Sequence, residues 1–329
     1  METLYRQILK KAWQITKKFA YLWPLGIFVA FLGNGGEYQV LINQVSAVRN
    51  QAETVALWSA NLNAILPKLD TSFNNVVMLS LYLLMMLAII CFFIWLIVSA
   101  LGGLIKGVSM ANNEERSTFT GLLKTGAQKF WTLLGLNLIA KAIVYGALLL
   151  VLTPLMMATF AKGYGALNLL IIVLSFLIFV PLTIIVSLAT KYGSAFAVLN
   201  GENFWSAFTN GWRLFRANWL VSLEMALILF AINLVVGLGF VLASLLIFSP
   251  FFFFGIAYTL ENPDLLTTLM YVSLTLLLLL SLAVGALISV FQIGSWTLLY
   301  TRLTTGGKAY SKLVRWVAVL PEKFKRKTV

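Results

Sequence analysis

The chain has 329 residues, of which 60% are hydrophobic and 11% charged, with a formal net charge of +13. A soluble globular domain is about 45–50% apolar and about 25% charged, so this composition excludes a soluble fold and requires lipid to cover the apolar excess. Histidine is absent and Cys91 is the single cysteine, which removes histidine metal ligands, Ser-His-Asp triads and any intramolecular disulfide.

In chain order, Met1 to Lys18 sets Leu4, Tyr5, Ile8, Leu9, Ala12, Trp13 and Ile15 near one face at helical spacing. Arg6, Lys10, Lys11, Lys17 and Lys18 crowd the other face, which predicts a basic amphipathic helix lying on the membrane surface. The first apolar run, Ala20 to Leu32, is interrupted by Pro24 and is short for a crossing, so Lys17 and Lys18 must snorkel to complete it. A secretory signal is the competing reading. The long charged region and the lack of an A-x-A-like site disfavour it.

After the polar linker Gly33 to Ser72, further apolar runs cover Val76 to Ile105, Trp131 to Phe160, Asn168 to Thr190, Trp219 to Phe248 and Met270 to Leu299. Basic amphipathic stretches, Lys106 to Phe130 and Lys191 to Asn218, separate some of these runs. Phe251 to Leu260 is too short to span, and Pro181 near the middle of its run predicts a kink. The expected fold is therefore all-α: one polytopic transmembrane domain over 1–329, with six transmembrane helices and cytoplasmic amphipathic helices.

Charge orients this domain. Of the 24 Lys and Arg residues, 20 fall on one side of the six runs, and only Arg49, Lys68 and Lys162 on the other, with Lys141 inside a run. Cytoplasmic loops are enriched in Lys and Arg, so both termini are predicted cytoplasmic, in a plasma membrane of bacterial inner-membrane type. The tail from 306 to 329 adds Lys323, Lys325, Arg326 and Lys327, read as a topology anchor on anionic headgroups. Trp13, Trp131, Trp205, Trp212, Arg213, Arg216 and Trp219 are the expected interfacial anchors.

One plan recurs three times: a basic helix with aromatics, a span, an outside loop and a returning span. Lys106/Lys191, Phe119/Phe204 and Gly126/Gly211 align at a fixed offset, which predicts three two-span units over 1–110, 111–195 and 196–305. The alternative is that every inward-starting helix places Trp and Arg at its interface and so imitates a repeat. The segment N-F-W-S-A-F-T-N-G-W-R-L-F-R-A-N, Asn203 to Asn218, resembles the amphipathic segment of six-span bacterial proteins similar to the membrane domain of glycerophosphodiester phosphodiesterases. The start I-L-K-K-A-W-Q-I-T-K-K with Y-L-W-P-L-G-I-F, within Ile8 to Phe28, is similar to bacterial membrane proteins of the same build. That resemblance implies architecture only. The family's enzymatic activity belongs to a separate soluble barrel with catalytic histidines, which this chain lacks.

Ionisable and amide residues inside the runs are the candidates for function. Lys141 and Glu224 lie in runs that start on the same side, and an unpaired charge at a helix centre costs at least about 2.5–3.5 kcal/mol, so an intramembrane ion pair is expected. It either relays protons or substrate along a cavity or ties two helices together. Asn137, Asn233 and Gln292 read as interhelical hydrogen-bonding residues, and Ser281/Gly285/Ser289 and Gly239/Ala243 as close helix contacts. No nucleophile–base pair, phosphate loop or metal cluster is visible, so no enzyme activity and no cofactor is expected. The leading expectation is a non-enzymatic protein organising lipid, or a membrane-protein partner, through its interfacial helices, without nucleic acid. A small transporter or channel using Lys141 and Glu224 is the alternative.

Overall fold

In the computed structural model, residues 4–32, 73–160, 166–258 and 263–305 are described. Every element among them is helical. Helix α1 (Leu4–Lys18) leads through a 3-10 turn (Ala20–Leu22) into the short α2 (Trp23–Ala30), which has Pro24 in its first turn, where a missing N–H costs nothing. Then come α3 (Phe73–Asn112), α4 (Phe119–Gln128), α5 (Phe130–Phe160) and α6 (Ala166–Leu199). The chain continues as α7 (Phe204–Ala217), α8 (Trp219–Tyr258) and α9 (Pro263–Thr304).

Five helices are long and apolar enough to cross a membrane: α3, α5, α6, α8 and α9. Six were expected. The missing one is the first: the helical stretch 20–30 rises about 16 Å, roughly half of a 30 Å hydrocarbon core. The other expected boundaries shift for local reasons. Helix α3 runs past Ile105 to Asn112, and α6 runs past Thr190 to Leu199, because neither Lys106 nor Lys191 breaks a helix. The surface helices are correspondingly shorter. Gly201, with φ of 73°, ends α6: the Asn200 and Glu202 amides both donate back to the Phe196 carbonyl. Helix α8 continues through Pro250 and α6 through Pro181.

The core gathers at one end of the bundle. Helices α6 and α9 run parallel there, joined by two edge-to-face ring pairs one turn apart: Tyr192–Trp296 (6.1 Å) and Phe196–Tyr300 (4.9 Å). One turn further, Tyr300 Oη donates to Asn200 Oδ1 at 3.2 Å. Arg6, Lys10, Lys124, Lys129, Arg213, Arg216 and Arg302 all lie at this end, called here the basic end.

Three short helices dock against the basic ends of three long ones. Gly126 on α4 meets α3 so closely that a Cβ would stand 1.9 Å from the Ser99 carbonyl oxygen and 2.6 Å from the Gly103 nitrogen. Gly211 on α7 meets α6 in the same manner, its Cβ 2.5 Å from the Gly193 nitrogen and 2.9 Å from the Ala189 oxygen. Backbones this close gain dispersion contact, the main attraction between helices where lipid already solvates apolar side chains. The third helix, α1, packs on α9, with a Cβ at Gly294 3.8 Å from Ala12 Cβ and Trp13 edge-on to Phe291 at 6.0 Å. Its buried face holds Tyr5, Ile8, Ala12 and Ile15, so that face is covered by protein rather than laid in lipid. The chain therefore begins and ends its described residues at the same end of the bundle. Away from that end the helices separate, and α3 exposes its apolar side chains from Val76 to Trp95.

Candidate functional site

Because α2 stops about halfway along the bundle, the space beyond it is left open. A cavity of about 920 Å³ occupies it, with walls from α2, α3, α5, α6, α8 and α9. Helix α2 is held at its mouth by small residues: a Cβ at Gly26 would meet the Ala286 oxygen of α9 at 2.6 Å, and one at Gly285 would meet Ala30 Cβ at 3.3 Å.

Two lysines line this cavity, Lys141 from α5 and Lys191 from α6. Lys141 stands 11 residues into α5, about 16 Å along its axis, and Lys191 stands 8 residues before the end of α6, about 12 Å. The two helices are antiparallel neighbours, packed along Val144, Leu148 and Phe179, so both lysines enter from the same half of the cavity. The Lys191 ammonium lies 4.8 Å from the centre of the Trp296 ring, and that of Lys141 lies 6.0 Å from the Tyr145 ring, so the electron-rich ring faces attract both cations. On the opposite wall, Gln292 Nε2 donates to Asn233 Oδ1 at 2.8 Å, linking α9 to α8.

The far half differs. Val144, Val186, Val236, Phe240 and Val284 dominate it. Two of the hydroxyls there donate within their own helices, Thr183 to the Phe179 carbonyl at 2.9 Å and Ser281 to the Leu278 carbonyl at 2.8 Å. Toward the basic end the floor is closed by the aromatic pairs of α6 and α9 and by Tyr192 Oη, 2.7 Å from Ser222 Oγ of α8. Past that contact α8 follows α9 and makes no extended packing contact with α5, leaving a lateral gap. Gly237 of α8 borders the cavity with nothing within 4 Å of where its Cβ would lie.

The sequence-predicted residues distribute unevenly over this geometry. Lys141 lies on the cavity wall. Glu224 stands 5 residues into α8, about 8 Å from its start, and accepts a hydrogen bond from Tyr5 Oη of α1. Asn233 and Gln292 bond across helices as expected, whereas Asn137 Nδ2 donates to the Leu133 carbonyl of its own helix at 2.8 Å. Gly285 makes the expected close contact, but Ser281 and Ser289 face the cavity, and Gly239 has open space around it. Trp13, Trp131, Trp205, Trp212 and Trp219 are all exposed at the basic end, as are Arg213 and Arg216. The tail lysines and arginine at 323–327 lie outside the described residues. Lys191, expected in a surface stretch, lies inside α6. The signal that places it inside a helix is the stop at Asn200-Gly201, ten residues beyond Thr190.

Among the described residues no group of His, Cys, Asp or Glu could hold a metal ion, and Cys91 is exposed on α3. No curated protein and no solved structure matches the chain. A family model described as a domain of unknown function, DUF7847, matches residues 41–303, most of the length, and the chain belongs to that family.

Proposed function

We propose that this chain is a non-enzymatic integral membrane protein that binds, and carries within the bilayer, an anionic guest held in its central cavity. The observation behind this reading is that Lys141 and Lys191 line one half of a laterally open, partly apolar cavity. Two ammonium groups on the wall of one cavity make its field positive, and ionisable groups at membrane depth mark substrate pathways. A cavity near the top of the roughly 300–1,000 Å³ range of ligand sites has room for a guest larger than a small ion. Of the two functional expectations from the sequence, this favours the transporter-like one, with Lys191 joining Lys141 in the cavity and Glu224 serving as an anchor for α1. The test is native mass spectrometry of the protein purified from its membrane. Wild type should retain a bound mass that the folded Lys141→Met/Lys191→Met double variant loses. Equal bound masses in both proteins would refute the reading.

The orientation proposed is basic end cytoplasmic, in a bacterial plasma membrane, with the first crossing begun by α2. The 20-residue majority of Lys and Arg on one side supports it, as does the common location of α1 and the end of α9. The matched docking of Gly126 and Gly211 supports a repeated unit. There Gly103 takes the place of Gly193, so Lys106 and Lys191 are not counterparts. A second, compatible role in organising interfacial lipid is favoured by α7, which buries Ala207, Gly211 and Phe215 while Trp205 and Trp212 face outward. Lipids carrying headgroup-depth quenchers should quench both tryptophans. Preferential quenching by an aqueous reagent would count against that role.

A further inference from the structure

Resting on the anion-cavity reading, the geometry points to a guest of one chemical class: a lipid with a phosphate headgroup, entering sideways between α5 and α8. Three observations converge. First, the cavity is graded like an amphiphile, with Lys141, Lys191 and the Asn233–Gln292 pair in one half and Val144, Val236, Phe240 and Val284 in the other. The hydroxyls of Thr183 and Ser281 give their hydrogens to their own helices, so they offer none to a polar guest there. A free hydrated anion would leave that apolar half wetted at a cost, whereas an acyl chain fills it. Second, the floor toward the basic end is closed by Tyr192, Trp296 and Tyr300, which are buried, so the wide approach is from the side. Third, α8 is not packed along α5, and Phe230, which lines the cavity from α8, is nonetheless 65% exposed. A phosphate between the two ammonium groups would sit about 12–16 Å from the basic ends of α6 and α5, well inside the hydrocarbon slab. Phosphate is favoured over a carboxylate amphiphile because a phosphate monoester carries a charge of about −1.5 to −2 on three acceptor oxygens, a closer match to two ammonium groups than the single charge of a carboxylate.

The experiment uses the full chain in nonionic detergent and a phosphatidic acid carrying a fluorophore on its acyl chain. Saturable binding is expected, displaced by unlabelled phosphatidic acid but not by phosphatidylcholine of the same chains or by inorganic phosphate. Lys141→Met and Lys191→Met should each weaken binding about tenfold or more, and the arginine replacements should restore it. Gly237→Leu keeps both charges and projects into open space, so it tests the cavity even if a lysine variant does not fold. It should also weaken binding about tenfold or more. Lipid binding indifferent to Gly237→Leu and to the lysines would mean lipid on the outer surface and would overturn the inference. Lysine-dependent binding of inorganic phosphate without lipid would overturn the lipid class and leave the anion cavity standing. No lysine-dependent binding of either probe would overturn both.

Discussion

The docking of α4 on α3 makes Gly126→Ala a severe test of the packing. The added methyl would lie 1.9 Å from the Ser99 oxygen and 2.6 Å from the Gly103 nitrogen, both backbone atoms in the middle of a helix. Ordinary contact begins near 3.4 Å, so α4 must retreat by about 1.5 Å, and no side-chain rotation can relieve the clash. Overpacking of this kind costs about 1–3 kcal/mol, and the retreat also loosens Leu122 and Leu133, both fully buried at this contact. Alanine's better helix propensity returns about 1 kcal/mol, leaving a net loss of up to about 2 kcal/mol. Gly237→Ala is the matched control: its methyl meets nothing within 4 Å, so only the propensity gain remains, about 0.5–1 kcal/mol of stabilisation. Titration with sodium dodecyl sulfate in mixed micelles, followed by circular dichroism, should rank the proteins Gly237→Ala, wild type, Gly126→Ala. A Gly126→Ala variant as resistant as Gly237→Ala would refute the close packing of α3 and α4.

Tyr5→Phe removes the hydrogen bond to Glu224, and bonds to charged groups contribute about 1.5–3 kcal/mol, so α1 should exchange its amide hydrogens faster. Unchanged exchange over residues 4–18 would show that this bond does not hold α1. Gln292→Leu should cost about 0.6–2 kcal/mol, and pairing it with Asn233→Leu should recover much of that loss in a double-mutant cycle. Strictly additive costs would mean the two amides do not interact. For orientation, cysteines at Ala52 and Asn262 should react with an external impermeant reagent in sealed cells and those at Thr118 and Ser206 should not. The opposite pattern would invert the topology.

The large features of this fold were legible because they follow from solvation. Long apolar runs with few charges must lie in lipid, and the four longest runs became α3, α5, α8 and α9, with α5 nearly unchanged and the other three each longer by ten or more residues. What periodicity could not supply was the depth at which a lysine stops being interfacial. Lys106 and Lys191 both follow apolar runs, and a long stem lets either snorkel, so composition ended the spans there. The helices continue because Gly-Val-Ser-Met-Ala and Tyr-Gly-Ser-Ala-Phe contain no strong breaker, and α6 ends only where Gly201 permits φ of 73°. The intramembrane Lys141 stood out from sequence alone, but its second cavity lysine did not. The shortness of Ala20 to Leu32 was visible as well. That its consequence is a cavity depends on Gly26 and Gly285 pinning α2 against α9, a long-range contact that no local pattern encodes.

A cryo-electron microscopy map of the protein in nanodiscs containing phosphatidic acid tests the central claim most directly. The account predicts headgroup density within reach of both Lys141 and Lys191, with an acyl chain running past Gly237 and out between α5 and α8. A well-resolved cavity filled by protein side chains, or lipid density confined to the outer surface of the helices, would contradict it.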